Sequence, residues 1–340
     1  MCPCRPFRTP TSKSTMSGKG GRGYDNMEST LPPSQASRDK APFSGTTSAC
    51  GWQIVSGSVP GAMHERSGAP NQDALSWWSA EGERPLAVLC IADGHGGKEY
   101  TRSHIGARRA VQEAQMFLVS EVMPRILDRD ALENLTRFKR HFSEQMPKLL
   151  VSRWRASIYE HASDIPFSKN ETSHPKDEAE ALTNATRPDT SVEQRYGATL
   201  LAALLTPELH LYIQLGDGDV LTVTAEGEVV RPPFPADSHL LANHTTSLCS
   251  KDAWRYVRVH FQPIVERPPV FVMLATDGYA NSFADDADFE QVARDLYAAI
   301  QQEGPDAVAG HLPDWLDATS KGGSGDDISV VIAANMSRLE

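Results

Sequence analysis

Aspartates recur at the ends of the apolar runs of this sequence, and most of them have a glycine beside them. The apolar runs at 86–92, 209–215 and 270–276 lead into such segments, and the run at 328–333 begins directly after one. The aspartates concerned are Asp93, Asp217, Asp277 and Asp326. Because packed strands can bring their ends together, acids that are distant in sequence can converge at one place.

A convergence of carboxylates would define a particular chemistry. Clustered carboxylates repel one another and need a cation, and hard oxygen ligands suit Mg²⁺ or Mn²⁺ rather than zinc. Two such ions can hold a phosphate and activate a water molecule for in-line attack on phosphorus. Asp73, directly after Gln72, adds a further acid. His95, close to Asp93, is a candidate to protonate the departing alkoxide.

The alternative interpretation of any one of these segments is a tight turn. An Asp-Gly pair after a strand is very often a turn and nothing more, and Asp219 and Asp327 carry no signal beyond that. His95 has the corresponding alternative of a turn histidine with a solvated ring. Four such segments on separate core strands favour a carboxylate cage over four independent turns.

The periodicity of apolar residues predicts an α+β fold. Continuous apolar runs at 86–92 and 270–275 are typical of strands buried on both faces. Helical spacing at 111–122 and 135–149 predicts two long helices, and the same spacing at 289–300 predicts another. Since strands and helices are segregated along the chain, we expect two antiparallel β-sheets packed as a sandwich and flanked by helices.

The composition along the chain predicts a tail, one domain and a surface excursion. Residues 1–45 are rich in Ser, Thr, Gly, Pro, Lys and Arg, which predicts a disordered N-terminal tail. A single catalytic domain is expected at 46–340. Within it, the polar, proline-containing stretch at 163–194 predicts a flap on the surface.

Charge and cysteine content exclude several classes of partner. The 340-residue chain has a net charge of -11, so we expect it to bind neither nucleic acid nor an anionic membrane. Its cysteine count of 5 is odd and suggests no disulfide framework. No stretch approaches the roughly 20 apolar residues of a membrane span, and no signal-peptide core is present. The expected location is the cytoplasm.

Taken together, the motifs resemble those of the type 2C metal-dependent protein phosphatases over about residues 50–335. The most specific segment is 92–97, Ala-Asp-Gly-His-Gly-Gly, which is similar to that family's Asp-Gly-His-Gly-Gly signature. The other matching segments, in the family's order, are 196–200, 215–219, 275–278 and 325–328. The fold that this resemblance implies, two antiparallel sheets between helices, agrees with the predicted element order.

The resemblance implies roles for the matching positions. Asp93 would bridge two Mn²⁺ or Mg²⁺ ions, with the Gly94 carbonyl as a further ligand. Asp277 and Asp326 would complete the shell of one ion. Asp73 would serve the second ion, mostly through water.

Two further positions match functional positions of the family. Asp217 resembles the position linked to a weaker third ion. His95 would be the general acid.

Two positions depart from the family pattern. The family usually has Glu-Asp where this chain has Gln72 and Asp73, so the second ion would be held less tightly. The family often has an upstream arginine that binds the substrate phosphate; here His64 and Arg66 are the candidates for that role, and the alternative for Arg66 is a solvated loop charge. A bacterial-type branch of the family shows a similar histidine-containing opening and Gln-Asp pair.

The expected function is Mg²⁺- or Mn²⁺-dependent hydrolysis of phosphoserine and phosphothreonine. The expected partner is a phosphorylated protein, together with a cognate serine/threonine kinase. One alternative is a catalytically weak module that binds phosphoproteins on the same fold, which the neutral Gln72 keeps open. Another is a metal-dependent hydrolase of a small phosphate ester.

Overall fold

The structure is a computed structural model that describes residues 43–48, 51–80, 85–127, 135–172, 191–235, 246–265 and 268–336. Most of the predicted tail and the central part of the predicted flap lie outside these described residues. The first described strand begins at Phe43, close to the predicted start of the domain at residue 46.

Eleven strands form two sheets in the described part of the chain. They are β1 Phe43–Ser48, β2 Trp52–Val59, β3 Ala74–Ala80, β4 Leu86–Ala92, β5 Leu200–Leu205, β6 Leu209–Leu215, β7 Asp219–Val223, β8 Val229–Val230, β9 Arg258–Pro263, β10 Phe271–Ala275 and β11 Ile328–Asn335. The first sheet has the order β1-β2-β11-β10-β7-β8, and the second has the order β3-β4-β5-β6-β9. Every pairing within the two sheets is antiparallel.

The described helices lie between these strands along the chain, after β2 and before β11. The described α-helices are α1 Ala62–Ser67, α2 Ser103–Phe117, α3 Met123–Leu127, α4 Leu135–Asp164, α5 Lys169–Thr172, α6 Val192–Arg195, α7 Asp277–Ala280, α8 Asp286–Glu303 and α9 Pro305–Gly322. A π-helical turn at Leu118–Val122 joins α2 to α3, and a 3₁₀ turn lies at Ala253–Arg255. Among the described helices, none has the length and apolar character needed to cross a membrane.

Side-chain alternation along the strands divides the core into three layers. Ile91 and Leu274 belong to the cluster between the two sheets, together with other residues of both sheets. Cys90, the next position along β4, instead packs in a cluster with Trp154 and other residues of α2 and α4. Met273 of β10 packs in a third cluster with residues of α8 and α9. The expected sandwich of two antiparallel sheets between helices is therefore confirmed.

Two helical segments differ from the sequence-based expectation. Helix α9 was not predicted, because Pro305, Gly310 and Pro313 interrupt its apolar pattern. Pro305 occupies the first turn, where a missing N–H costs nothing. Helix α4 runs to Asp164, well past the predicted end of helical spacing at residue 149.

Candidate active site

The strand register of the second sheet brings two predicted metal ligands to one edge. Ala74 pairs with Ala92, so Asp73, which precedes β3, lies beside Asp93, which follows β4. Strands β5 and β6 continue the same edge through antiparallel pairing. Asp217 follows β6 there, and its carboxylate is close enough to affect Asp93 electrostatically.

The first sheet contributes two more acids at the matching edge. Ala275 of β10 pairs with Val330 of β11, so the end of β10 lies beside the start of β11. Asp277 follows β10 as the first residue of α7, and Asp326 precedes β11. Both carboxylates act electrostatically on Asp93, which belongs to the other sheet.

A threonine joins the two groups of acids. The Thr276 hydroxyl donates a hydrogen bond to Asp73 Oδ2 at 2.8 Å and accepts one from the Ser329 backbone N–H at 3.0 Å. Asp73 is 2% exposed, so this bond fixes a buried carboxylate of one sheet to the end of a strand in the other. Sequence reasoning missed Thr276, although it directly precedes the Asp277-Gly278 motif.

The loop that carries Asp93 and Gly94 is held by backbone contacts that only glycine permits. The Asp93 N–H donates to Thr199 Oγ1 at 2.9 Å, and the Gly94 N–H donates to the Gln72 carbonyl at 3.1 Å. A Cβ at Gly94 would lie 2.6 Å from that carbonyl oxygen and 2.8 Å from the Ser103 carbonyl oxygen. Glycine is therefore required by the close approach of three backbone segments.

The side-chain amide of Gln72 connects two backbone segments beside the acids. Its Nε2 donates to Ser103 Oγ at 2.9 Å and to the His95 carbonyl at 3.3 Å. An ionised glutamate has only acceptors and could not donate to the carbonyl. The neutral residue is thus suited to fixing the loop after β4 against the start of α2.

Burial and mutual repulsion raise the pKa values of the four central acids. Burial raises the pKa of Asp93 well above its usual range, with further contributions from the charges of Asp73, Asp277 and Asp326. Burial and the charge of Asp327 likewise raise the pKa of Asp73. Burial, followed by the charges of Asp217 and Asp326, raises the pKa of Asp277 to about 6. Burial raises the pKa of Asp326 as well.

These carboxylates fit a divalent metal centre in their donor chemistry. All of them offer hard oxygen ligands, which is the set that Mg²⁺ and Mn²⁺ prefer. Burial and then the charges of neighbouring carboxylates, which raise these pKa values, disfavour the ionised cluster unless positive charge is brought close to it. Bound cations would supply that charge and favour the ionised carboxylates.

Asn281 also contacts the acids, and sequence reasoning missed it. Its Nδ2 donates a hydrogen bond to Asp277 Oδ2 at 3.0 Å.

His95 lies beside the acids in a partly enclosed position. Its backbone N–H donates to the Gly197 carbonyl at 3.1 Å, and its ring meets the Tyr100 ring edge-on with centroids 5.1 Å apart. Burial lowers the pKa of His95, while the charge of Asp217 acts in the opposite direction. The ring is therefore close to Asp217 and partly shielded from bulk water.

The two candidates for phosphate binding differ in their surroundings in the structure. His64, on α1, makes a 2.8 Å contact from Nδ1 to Asp327 Oδ1. The hydrogen bond with Asp327 is the largest cause of the raised pKa of His64, and the charge of Asp326 also raises this pKa. Arg66, two residues further along α1, is exposed. Only His64 is thereby tied to the strand end that carries Asp326.

Asp327, which the sequence assigned to a turn, is a buried hydrogen-bond acceptor for three groups. It accepts from the Gly61 N–H and the Gln72 N–H, each at 2.6 Å, in addition to its contact with His64. His64, Asp326 and Asp327 have potential ligand atoms within 4.8 Å of one another. Because both oxygens of Asp327 are already used, this group is better suited to anchoring α1 than to binding a metal ion.

Asp219 has a separate structural partner. Its carboxylate forms an ion pair with Arg231, which also reaches Asp286 at the start of α8. Asp219 was not among the predicted metal ligands.

Sequence comparison assigns the chain to a family. A family model described as Protein phosphatase 2C matches residues 60–317, which is more than half of the chain. The chain belongs to the protein phosphatase 2C family, as its motifs predicted. No curated protein matches the chain.

Comparison with solved structures finds the same fold in bacterial phosphatases. A bacterial serine phosphatase is 14% identical, with 83% of this chain and 97% of that chain covered and a TM-score of 0.50. The serine/threonine phosphatase Stp1 from Staphylococcus aureus is 14% identical, with 86% and 99% covered and a TM-score of 0.50. The catalytic domain of the serine threonine protein phosphatase PstP, in complex with 2 manganese ions, is 14% identical, with 84% and 98% covered and a TM-score of 0.48.

The raised pKa of Asp277 predicts how the metal-free protein responds to pH. A carboxyl whose pKa is 3.8 when unfolded and about 6 when folded stabilises the fold below pH 3.8, and this contribution is lost as pH rises through about 6. The loss is of the order of 3 kcal/mol. In chelator, we expect the melting temperature of Asp277→Asn to fall less than that of the wild type over this interval.

An exposed acid on α9 provides the control for this experiment. Asp314→Asn removes one negative charge without touching the acid cluster and should keep the wild-type slope. Equal slopes for Asp277→Asn and the wild type would contradict the assignment of the slope to Asp277. Added Mn²⁺ should raise the melting temperature of the wild type most above pH 6, where the acids are ionised.

Proposed function

We propose that this protein is a metal-dependent protein phosphatase that hydrolyses phosphoserine and phosphothreonine. The observation that carries the proposal is the convergence of carboxylates from both sheets at one edge of the sandwich, with Asp73 buried and the others partly exposed, joined by the bond from Thr276 to Asp73. Membership of the protein phosphatase 2C family supports the same reaction class. The fold shared with bacterial serine/threonine phosphatases is consistent with it.

In this proposal, Asp93, Asp277 and Asp326 hold the metal ions together with the Gly94 carbonyl. Asp73 serves the second ion, and a weaker third ion is held through Asp217. When bound, Mn²⁺ or Mg²⁺ would neutralise the phosphate charge and make a water molecule more acidic. The carboxylates orient the ions, and the bond from Thr276 keeps Asp73 in one position.

His95 is proposed to give a proton to the departing serine or threonine oxygen. An alkoxide is a poor leaving group, so a positioned acid contributes to this step. Burial lowers the pKa of the free imidazole. A dianionic phosphate bound beside the ring favours its protonated form, which is the form that can act as an acid.

His64, rather than Arg66, is proposed to contact the phosphate of the substrate. Its Nδ1 is engaged by the buried carboxylate of Asp327, which leaves Nε2 as the nitrogen available to a ligand. A ring nitrogen of His64 lies within 4.8 Å of a carboxylate oxygen of Asp326, one of the proposed metal ligands. Arg66 is exposed, and a bond from Arg66 to the phosphate would have to order a long side chain at an entropic cost.

A pair of alanine variants tests this choice. We expect His64→Ala to lower kcat/KM by roughly 10- to 100-fold, because a polar contact to the substrate is lost. Arg66→Ala is expected to stay within about 2-fold of the wild type, as for a solvated charge. Steady-state kinetics with a phosphothreonine peptide at saturating Mn²⁺ measures both. A large loss for Arg66→Ala with none for His64→Ala would reverse the assignment.

The proposed partner is a phosphorylated protein, with a serine/threonine kinase that supplies the substrate. Ile165, Pro166 and Glu171 of the predicted flap dock on Arg102 at the start of α2, and the next residue, Ser103, contacts Gln72 beside Asp73. Such a neighbouring surface can contribute to recognition of a macromolecular substrate. The cytoplasm is the proposed compartment.

The test of the proposed function is turnover by the full chain. We expect hydrolysis of a phosphothreonine peptide and of p-nitrophenyl phosphate with Mn²⁺, and none with excess chelator. Failure of the folded protein to hydrolyse either substrate over a wide range of Mn²⁺ would overturn the proposal. Tight binding of the peptide without turnover would instead identify a phosphoprotein-binding module.

A further inference from the structure

The side chain of His95 lies in a narrow slot between two other residues. Neither the sequence motif nor the family resemblance assigns a role to those residues. One wall is the ring of Tyr100, whose centroid lies 5.1 Å from that of His95 at an interplanar angle of 64°. This is the edge-to-face geometry that aromatic rings prefer. The other wall is Gly197, whose carbonyl accepts the His95 N–H at 3.1 Å.

Gly197 has no room for a side chain. A Cβ at this position would lie 2.9 Å from His95 Cδ2 and 2.9 Å from Tyr100 Cδ1. Contacts this short do not occur between carbon atoms in folded proteins, so both rings would have to move. The glycine backbone therefore touches both rings and limits the positions open to the imidazole.

Tyr100 is itself fixed by the backbone. Its N–H donates to the Gly97 carbonyl at 3.2 Å, and its carbonyl accepts from the Ser103 N–H at 3.1 Å, where α2 begins. The ring that faces His95 is thus carried on a turn closed at both ends. A turn of this kind restricts the motion of the ring more than a free loop would.

We infer that Tyr100 and Gly197 are positioning residues that hold the His95 imidazole in the orientation needed to protonate the leaving oxygen. The inference rests on the proposed function and deepens it. Tyr100 acts through ring contact with His95 and through no direct contact with substrate. A misplacement of about 1 Å of a catalytic group can cost roughly 10²-fold in rate, so removal of one wall has a measurable effect.

The experiment compares two substrates that differ in their need for an acid. The threonine alkoxide requires protonation on departure, whereas p-nitrophenolate is a stable anion and leaves without it. With Mn²⁺ saturating, we expect Tyr100→Ala to lower kcat on a phosphothreonine peptide by roughly 10- to 100-fold. The loss on p-nitrophenyl phosphate should be less than about 3-fold. Tyr100→Phe keeps the ring and should restore most of the peptide rate.

A double variant separates positioning from a general structural effect. If Tyr100 acts through His95, Tyr100→Ala should cause no further loss on the peptide in a His95→Asn background. Gly197→Ala places a Cβ against the His95 ring, so we expect the same difference between the two substrates. This variant replaces Tyr100→Ala in the experiment if Tyr100→Ala does not fold. Equal losses on both substrates, or an undiminished loss in the His95→Asn background, would overturn the inference. Absence of wild-type turnover on either substrate would instead reject the proposed function.

Discussion

Replacing Asp277 by asparagine is expected to lower metal-dependent kcat by roughly 10³-fold or more. The carboxylate follows β10 at the edge where both sheets end, and its pKa is raised to about 6 by burial and by neighbouring acids. The asparagine has nearly the same shape but only one oxygen and no charge, so its affinity for a hard cation is much lower. The rate on a phosphothreonine peptide across a Mn²⁺ titration measures the effect.

The same variant tests whether Asp277 acts as a metal ligand or as a residue needed for folding stability. Removing one of several repelling charges should leave the melting temperature in chelator unchanged or higher than that of the wild type. Asp314→Asn on α9 is the matched control and should keep full turnover. Normal turnover by Asp277→Asn would reject the ligand role, and unfolding of this variant in chelator would assign the residue to stability instead.

Replacing Asp327 by alanine is expected to cost roughly 3–5 kcal/mol of folding free energy. The carboxylate is 4% exposed and accepts from the N–H groups of Gly61 and Gln72 as well as from His64. Alanine leaves both backbone donors without this acceptor and frees the imidazole. Urea denaturation in chelator measures the loss without a contribution from bound metal.

Two companion variants calibrate this result. Asp317→Ala removes an ion pair with Lys321 on the surface of α9 and should cost much less than Asp327→Ala, because water screens an exposed pair. Asp327→Asn retains one acceptor oxygen and should give an intermediate loss. A cost for Asp327→Ala as small as that for Asp317→Ala would show that the three hydrogen bonds do not hold α1 against β11.

The contrast between Asp277 and Asp327 shows how far the sequence predicts the site. Asp277 ends an apolar run and precedes glycine, which is a local pattern visible in the sequence. The role of Asp327 depends on Gly61 and Gln72, which are more than 250 positions away along the chain. No local pattern reports such a pairing, so the sequence favoured a turn.

The residues that support the site, Thr276, Thr199 and Tyr100, also depend on contacts that no local sequence pattern reveals. Thr276 and Thr199 lie within motifs that were recognised, yet their hydroxyls act on acids brought near by strand register. Tyr100 has no sequence signal, because its contact with His95 depends on how the chain turns into α2. The sandwich of two sheets and the position of the acids at strand ends followed from alternation and from the ends of apolar runs, which are local properties, whereas the order of the strands in each sheet was not predicted.

The most direct test of the central claim is to locate Mn²⁺ by anomalous diffraction in crystals of the full chain. We expect one peak bounded by the carboxylates of Asp93, Asp277 and Asp326, and a second on the side of Asp93 that faces Asp73. Both peaks should be absent after soaking in chelator. No peak at this edge, or a single peak bound by His64 and Asp327, would contradict the assignment of the converging acids as the metal centre.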